Sequence, residues 1–277
     1  MEPVSFSWKT QDNLKLVGQE WKTPQKSKSV ILLVHGLGEH CKRYQHLAEF
    51  YNSAGISLVS FDLRGHGQSD GLRGHAPSYD VICDDIQYCL DETRKRYPKL
   101  PIFIYGHSLG GALILYFLLK RNPDIRGAIV TSPGLAAAAP LPPMKLLAAK
   151  VMSRIAPTFS LPNDLDRSGL SRDPQIEEKY SSDPLVHGMI SARLGMELIN
   201  NGKYIIEHGS DIKTPMLLMQ GSADRLVDPK KTIELSQKTP PSTTFKLWDG
   251  FYHELHNEPE KLEVLKYELT WINKQLQ

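Results

Sequence analysis

Gly106-His107-Ser108-Leu109-Gly110 constrains the fold of this chain more than any other stretch, because it sets a serine between two glycines where two apolar segments meet. Pro101 to Tyr105 reads as a short buried strand, and Leu109 to Lys120 has the length and leucine content of a helix. A turn from strand to helix this abrupt strains the backbone at its apex and leaves little room for neighbouring side chains. Ser108 is the apex, and Gly106 and Gly110 are the small neighbours. The turn presents the Ser108 hydroxyl as a nucleophile. It also places the Leu109 amide at a helix N-terminus, where a free N–H and the helix dipole stabilise a developing oxyanion.

Strand and helix alternate around this turn. Ser29 to His35 and Ile56 to Asp62 are apolar, β-branched runs of the kind found in buried parallel strands. Between them, Arg43 to Ala54 brings Tyr44, Leu47, Ala48 and Tyr51 onto one helical face, and Tyr79 to Tyr97 does the same with Ile82, Ile86 and Leu90. Further strands are predicted at Gly127–Thr131, Met216–Gln220 and Phe245–Trp248, with a closing helix at Pro259–Ile272. The pattern predicts an α/β fold around a mostly parallel central sheet flanked by helices. Ser132 to about Gly209 breaks the rhythm with an alanine- and proline-rich start and helices joined at Asp173-Pro174 and Asp183-Pro184, and reads as an inserted helical cap. Within it, Met144 to Ile155 is apolar nearly all round and is expected to bury itself, either on the core or as a lid that receives lipid and skims a membrane.

Composition narrows the partners. A net charge of +2, with basic residues scattered through 277 positions, argues against nucleic acid. The one basic run, Arg94-Lys95-Arg96, reads as a solvated helix end. Cys41, Cys83 and Cys89 make no closed disulfide framework, which points to a reducing compartment. The first residues lack the pattern of a secretory signal, so a cytoplasmic location is expected. The longest apolar run, Ala112 to Leu119, is far short of the roughly 20 residues that span a bilayer, so any membrane contact is expected to be peripheral.

A serine hydroxyl attacks an ester only with a histidine base, whose tautomer is fixed by a carboxylate. The predicted strand Met216–Gln220 leads into Gly221-Ser222-Ala223-Asp224, and Phe245–Trp248 leads into Asp249-Gly250-Phe251-Tyr252-His253, which puts Asp224 and His253 at the carboxyl edge of the sheet. Asp228 competes as the acid, but Pro229 after it marks a helix cap; Asp249 suits a turn; His256 competes as the base from deeper in the last segment. His253-Glu254-Leu255-His256 has one residue too few between its histidines for a zinc HExxH site, so no metal or cofactor is expected. The loop His35-Gly36-Leu37-Gly38 follows a buried strand and supplies the Leu37 amide as a second oxyanion donor.

With these motifs in hand, His35–Glu39 (HGLGE), Asp62–Ser69 (DLRGHGQS), Gly106–Gly111 (GHSLGG), Gly221–Leu226 (GSADRL) and Tyr252–His256 (YHELH) together resemble the monoacylglycerol lipases of the α/β-hydrolase superfamily. The likeness extends into the middle segment, through Leu146–Met152 and Tyr180–Val186. It implies an α/β-hydrolase core of residues 1–132 and 210–277 with a cap of 133–209, a monoacylglycerol or related lipid ester as substrate, and Ser108, Asp224 and His253 as nucleophile, acid and base. It further implies that Leu37 and Leu109 form the oxyanion hole, and that Glu39, Arg43, Tyr180 and His256 surround the glycerol end of the substrate. Val227 and His187 stand where some animal members carry cysteine. A lysophospholipase, carboxylesterase or thioesterase would use the same triad, and a non-catalytic ligand receptor could retain the frame.

Overall fold

The computed structural model describes residues 2–139 and 141–277. In chain order its elements are β1 (Val4–Lys9), β2 (Lys15–Trp21), β3 (Ser29–Val34), α1 (Gln45–Ser53), β4 (Ile56–Phe61), α2 (Tyr79–Arg96), β5 (Ile102–His107), α3 (Leu109–Arg121), β6 (Gly127–Thr131), α4 (Pro143–Ile155), β7 (Ser160–Pro162), α5 (Pro174–Ser182), β8 (Met189–Ser191), α6 (Ala192–Glu207), β9 (Met216–Gly221), α7 (Pro229–Lys238), β10 (Thr243–Trp248) and α8 (Lys261–Leu276). Eight strands form one sheet in the order β1-β2-β4-β3-β5-β6-β9-β10, and β7 pairs with β8. From β4 to β10 all neighbours run parallel; β1 and β2 are antiparallel additions at one edge.

Every residue of β3, β4, β5, β6 and β9 is buried, which is why these strands read as continuous apolar runs. Successive side chains serve opposite faces. Ile31, Leu33, Phe103 and Tyr105 pack with Tyr44, Leu47 and Trp271 on the side of α1 and α8. Val30, Leu32, Val34 and Ile104 pack with α2 and α3 on the other. Helix α3 is buried from Leu109 to Leu118, because it lies between the sheet and α2 and α6 rather than on the surface. The β1–β2 hairpin was not foreseen: it is an edge element whose Phe6 and Trp8 alternate with exposed residues over too few positions to stand out.

The connection between β6 and β9 departs from the sheet and carries α4, β7, α5, β8 and α6. It is tied back to the core at several points, where Ser191 N–H donates to the Gly74 carbonyl (2.9 Å) and Glu197 accepts from the Tyr79 amide (3.0 Å). Of the two expected fates of the Met144–Ile155 helix, packing on the core fails for one face. Met144, Leu147, Val151 and Ile155 are exposed, while the half-buried Ala149 and Met152 on the adjoining face line a cavity. A helix with both faces apolar is thus shared between an interior cavity and the surface.

Below the sheet, Glu268 of α8 is wholly buried and accepts hydrogen bonds from Tyr51 (2.6 Å) and Tyr105 (3.2 Å). Burial raises its carboxyl to about 7, against the lowering effect of the two tyrosines. A carboxyl raised in the folded state favours folding while it is protonated. That stability is complete below the ordinary glutamate range and is lost as pH rises through about 7. Glu268→Gln should therefore gain on the parent protein as pH rises from 4.5 to 8. Urea unfolding of both proteins across that range checks this, and a difference independent of pH would refute it.

Candidate active site

Ser108 sits between β5 and α3 with φ 53° and ψ −118°, a left-handed backbone that a serine adopts at a cost of about 1–3 kcal/mol. Three hydrogen bonds hold it there: Ser108 N–H donates to the Thr131 carbonyl (3.0 Å), and its carbonyl accepts from Ala112 (3.0 Å) and Gly134 (2.9 Å). The flanking glycines are required by contact. A Cβ on Gly106 would lie 2.6 Å from the Gly110 carbonyl, and one on Gly110 would lie 2.1 Å from that of Val34.

A second glycine contact assembles the other two groups. A Cβ on Gly221, at the end of β9, would collide with the carbonyls of Tyr252 (2.3 Å) and Phe251 (2.4 Å), so the loop after β10 crosses directly over the end of β9. Ser222 and Ala223 donate to the Trp248 and Phe251 carbonyls and fasten the two loops together. As a result His253 Nδ1 lies 2.7 Å from Asp224 Oδ2, and His253 Nε2 lies 2.9 Å from Ser108 Oγ. The other Asp224 oxygen accepts from the Leu226 (2.8 Å) and Val227 (3.1 Å) amides. Asp228, the competing acid, instead caps α7 by accepting from Lys230 N–H.

Burial pushes the His253 imidazole down, but the Asp224 carboxylate and its hydrogen bond outweigh that and hold it above the usual histidine range. His107, with its ring 4.8 Å from that of His253, and His256 are driven well below the range, first by burial. A base that takes up a proton readily therefore stands among neutral imidazoles.

The loop after β3 approaches the serine closely: a methyl placed on Gly36 would lie 3.2 Å from Ser108 Cβ. Leu37 and Leu109 line the same cavity as Ser108, and neither amide donates a hydrogen bond to another described residue. Their free N–H groups suit an incoming oxyanion.

The cavity that opens on Ser108 measures about 630 Å³, within the range of small-molecule sites. Its far wall is mostly apolar, with Ala149, Met152, Phe159, Leu165 and Ile190 from the β6–β9 connection and Val227 beyond β9, beside Lys145 and Asp164. Glu39 and Tyr180 line it. Arg43 and His256 lie behind the lining. Arg43 is held by Glu39 on one side and by both oxygens of Glu254 (2.8 and 2.9 Å) on the other, with its guanidinium 4.7 Å over the Tyr180 ring. His256 is fully buried and stacks on Tyr44 at 4.9 Å. His187 turns its ring toward the Gly65 carbonyl (3.1 Å).

Three residues at the site escaped the sequence reading. Gln220 donates to Asp224 (2.9 Å) and is itself held by Thr232, and a glutamine closing the run Met216–Met219 was the available signal. Ser132, with φ 43°, donates to the His253 carbonyl (2.8 Å). Glu254 lines the cavity beside His253, and nothing in its local sequence marks it. Among the described residues, no group of three or more His, Cys, Asp or Glu side chains is arranged to hold a metal ion.

Known proteins resemble this chain over most of its length. A family model described as serine aminopeptidase, S33, matches residues 25–260. The monoglyceride lipase of Rattus norvegicus is 35% identical over 95% of this chain and 88% of its own length. An uncharacterized abhydrolase domain-containing protein of Dictyostelium discoideum is 34% identical over 97% of this chain, which spans only 29% of that protein. The crystal structure of Paleococcus ferrophilus monoacylglycerol lipase superposes with a TM-score of 0.84 at 33% identity, covering 99% of this chain and 100% of that one.

The environment of His253 makes a prediction independent of any substrate. In a histidine NMR titration, one imidazole should protonate above the ordinary range and vanish from the spectrum in His253→Ala, while His107 and His256 stay neutral well below it. Titration of His253 below the ordinary range would contradict the Asp224 pairing.

Proposed function

Because the chain belongs to the monoacylglycerol lipase family of α/β-hydrolases, within the serine aminopeptidase S33 group, we propose that it cleaves monoacylglycerols to fatty acid and glycerol through an acyl-enzyme on Ser108. The observation that carries this reading is the hydrogen-bonded line from Asp224 through His253 to Ser108, opening into a cavity whose far wall is mostly apolar. His253 takes the Ser108 proton as the oxygen attacks the ester carbonyl, and the Leu37 and Leu109 amides receive the oxyanion. Collapse of the tetrahedral adduct expels the glycerol oxygen, which leaves with the proton from His253. Water, deprotonated by the same imidazole, then releases the fatty acid and restores Ser108. The long, mostly apolar wall favours a lipid acyl chain over the short esters that a general carboxylesterase takes.

Residues 133–209 act in this reading as a cap over a core of 1–132 and 210–277. No helix among the described residues is long and apolar enough to cross a membrane. The exposed Met144, Leu147, Val151 and Ile155 of α4 suit peripheral contact with a lipid surface, at the part of the cap that lines the cavity. A cytoplasmic enzyme that collects its substrate from membranes fits these features.

Ser108→Ala should lower turnover of monooleoylglycerol by about a million-fold and abolish fluorophosphonate labelling, and Asp224→Asn should cost about ten-thousand-fold. Retention of more than a few per cent of activity in Ser108→Ala would remove the serine from this role. For the membrane contact, Leu147→Ser with Val151→Ser should weaken co-sedimentation with phospholipid vesicles about tenfold while hydrolysis of a soluble butyrate ester persists. Unchanged sedimentation would refute it.

A further inference from the structure

Two carboxylates, Glu39 and Glu254, reach the cavity at its nucleophile end, and one cation serves both. Both glutamates are almost wholly buried, at 2% and 1% exposure. Glu39 is close to the reaction centre: a methyl on Gly36 would lie 2.8 Å from its Oε1 and 3.2 Å from Ser108 Cβ. Glu254 is the residue after His253. Arg43 does not reach the cavity wall; it binds Glu254 through both guanidinium ends and Glu39 through one. The remaining partners are neutral donors: the Gly36 amide and Tyr44 hydroxyl on Glu39, and the Asn257 amide on Glu254. His107 beside them is neutral, because burial holds its imidazole unprotonated. The other charged residues of the wall, Lys145 and Asp164, belong to the β6–β9 connection, and the Asp224 carboxylate is engaged by His253.

Two anions against one cation leave a net negative charge in a poorly hydrated space where the alcohol half of an ester must sit. Like charges there are screened little by salt. We propose that Glu39 and Glu254 make this end of the cavity an anion filter, which admits uncharged or cationic alcohols and rejects acyl esters whose alcohol carries a phosphate or carboxylate. The filter rests on the esterase reading above and adds the class of leaving group.

The test uses the full chain and esters that share an acyl group and differ only in the alcohol: glycerol, glycerol phosphate and choline, each as the oleoyl and the butyryl series. The parent protein should prefer glycerol to glycerol phosphate by at least a hundredfold in kcat/KM and should accept the choline ester. Glu254→Gln should shrink that preference at least tenfold, about 1.4 kcal/mol, and Glu254→Asp should restore it. Glu39→Gln provides the same reading should Glu254→Gln not fold. A parent preference below tenfold, or one unaltered in both glutamine variants, overturns the filter. Turnover of the butyryl but not the oleoyl esters overturns the lipase reading and leaves the filter to be judged on the butyryl ratio. No turnover of either series overturns both.

Discussion

The close approach of Gly110 to the Val34 carbonyl is the contact on which the rest of the site depends. It presses the first turn of α3 against the end of β3, so the loop after β3 and the serine before α3 come to lie side by side. Sheet topology puts this contact where it is useful. β3 has β4 on one side and β5 on the other, so the connections leave its end in opposite directions and open a crevice at the carboxyl edge. Backbone strain at Ser108 is held in place by the packing of three strands and a helix, and a single methyl group on either flanking glycine would undo it.

Much of this was readable in the sequence because burial writes itself into composition. The strands around the elbow are buried on both faces, so β3, β4, β5 and β9 appear as uninterrupted apolar runs, and the chemistry at their ends follows from which residue comes next. The placement of Asp224 and His253 at successive strand ends was legible for that reason. Arg43 and His256, assigned to the glycerol end by resemblance, lie behind the cavity lining; whether a polar side chain lines a cavity or lies behind it depends on the residues in front. Arg43 is drawn back by Glu254 from a loop more than two hundred positions away, and the His256 ring is enclosed by Tyr44 and His107. The outward face of α4 was left between two readings on a different ground: an apolar helix signals that it needs a partner, but not whether that partner lies within the chain.

Electrostatics at the site follow from burial as much as from pairing. The cluster of His107, His253 and His256 would be unstable if all three were charged, and only the one that meets a carboxylate at 2.7 Å is favoured to hold a proton. Buried carboxylates require donors, and here Gly36, Tyr44, Arg43 and Asn257 supply them.

The β6–β9 connection is held unevenly. His187 N–H donates to the Gly38 carbonyl (2.8 Å), His40 meets Asp183 at 2.8 Å, and a Cβ on Gly38 would lie 2.3 Å from the His187 carbonyl, so the stretch from α5 to β8 is fastened to the loop that carries Leu37. Helix α4 packs chiefly on α6. Mechanically the two parts differ: to shift the stretch from α5 to β8 is to pull on the loop that carries Leu37, whereas α4 leans on α6. Displacing α4 would therefore disturb the loop after β3 less than displacing α5 would.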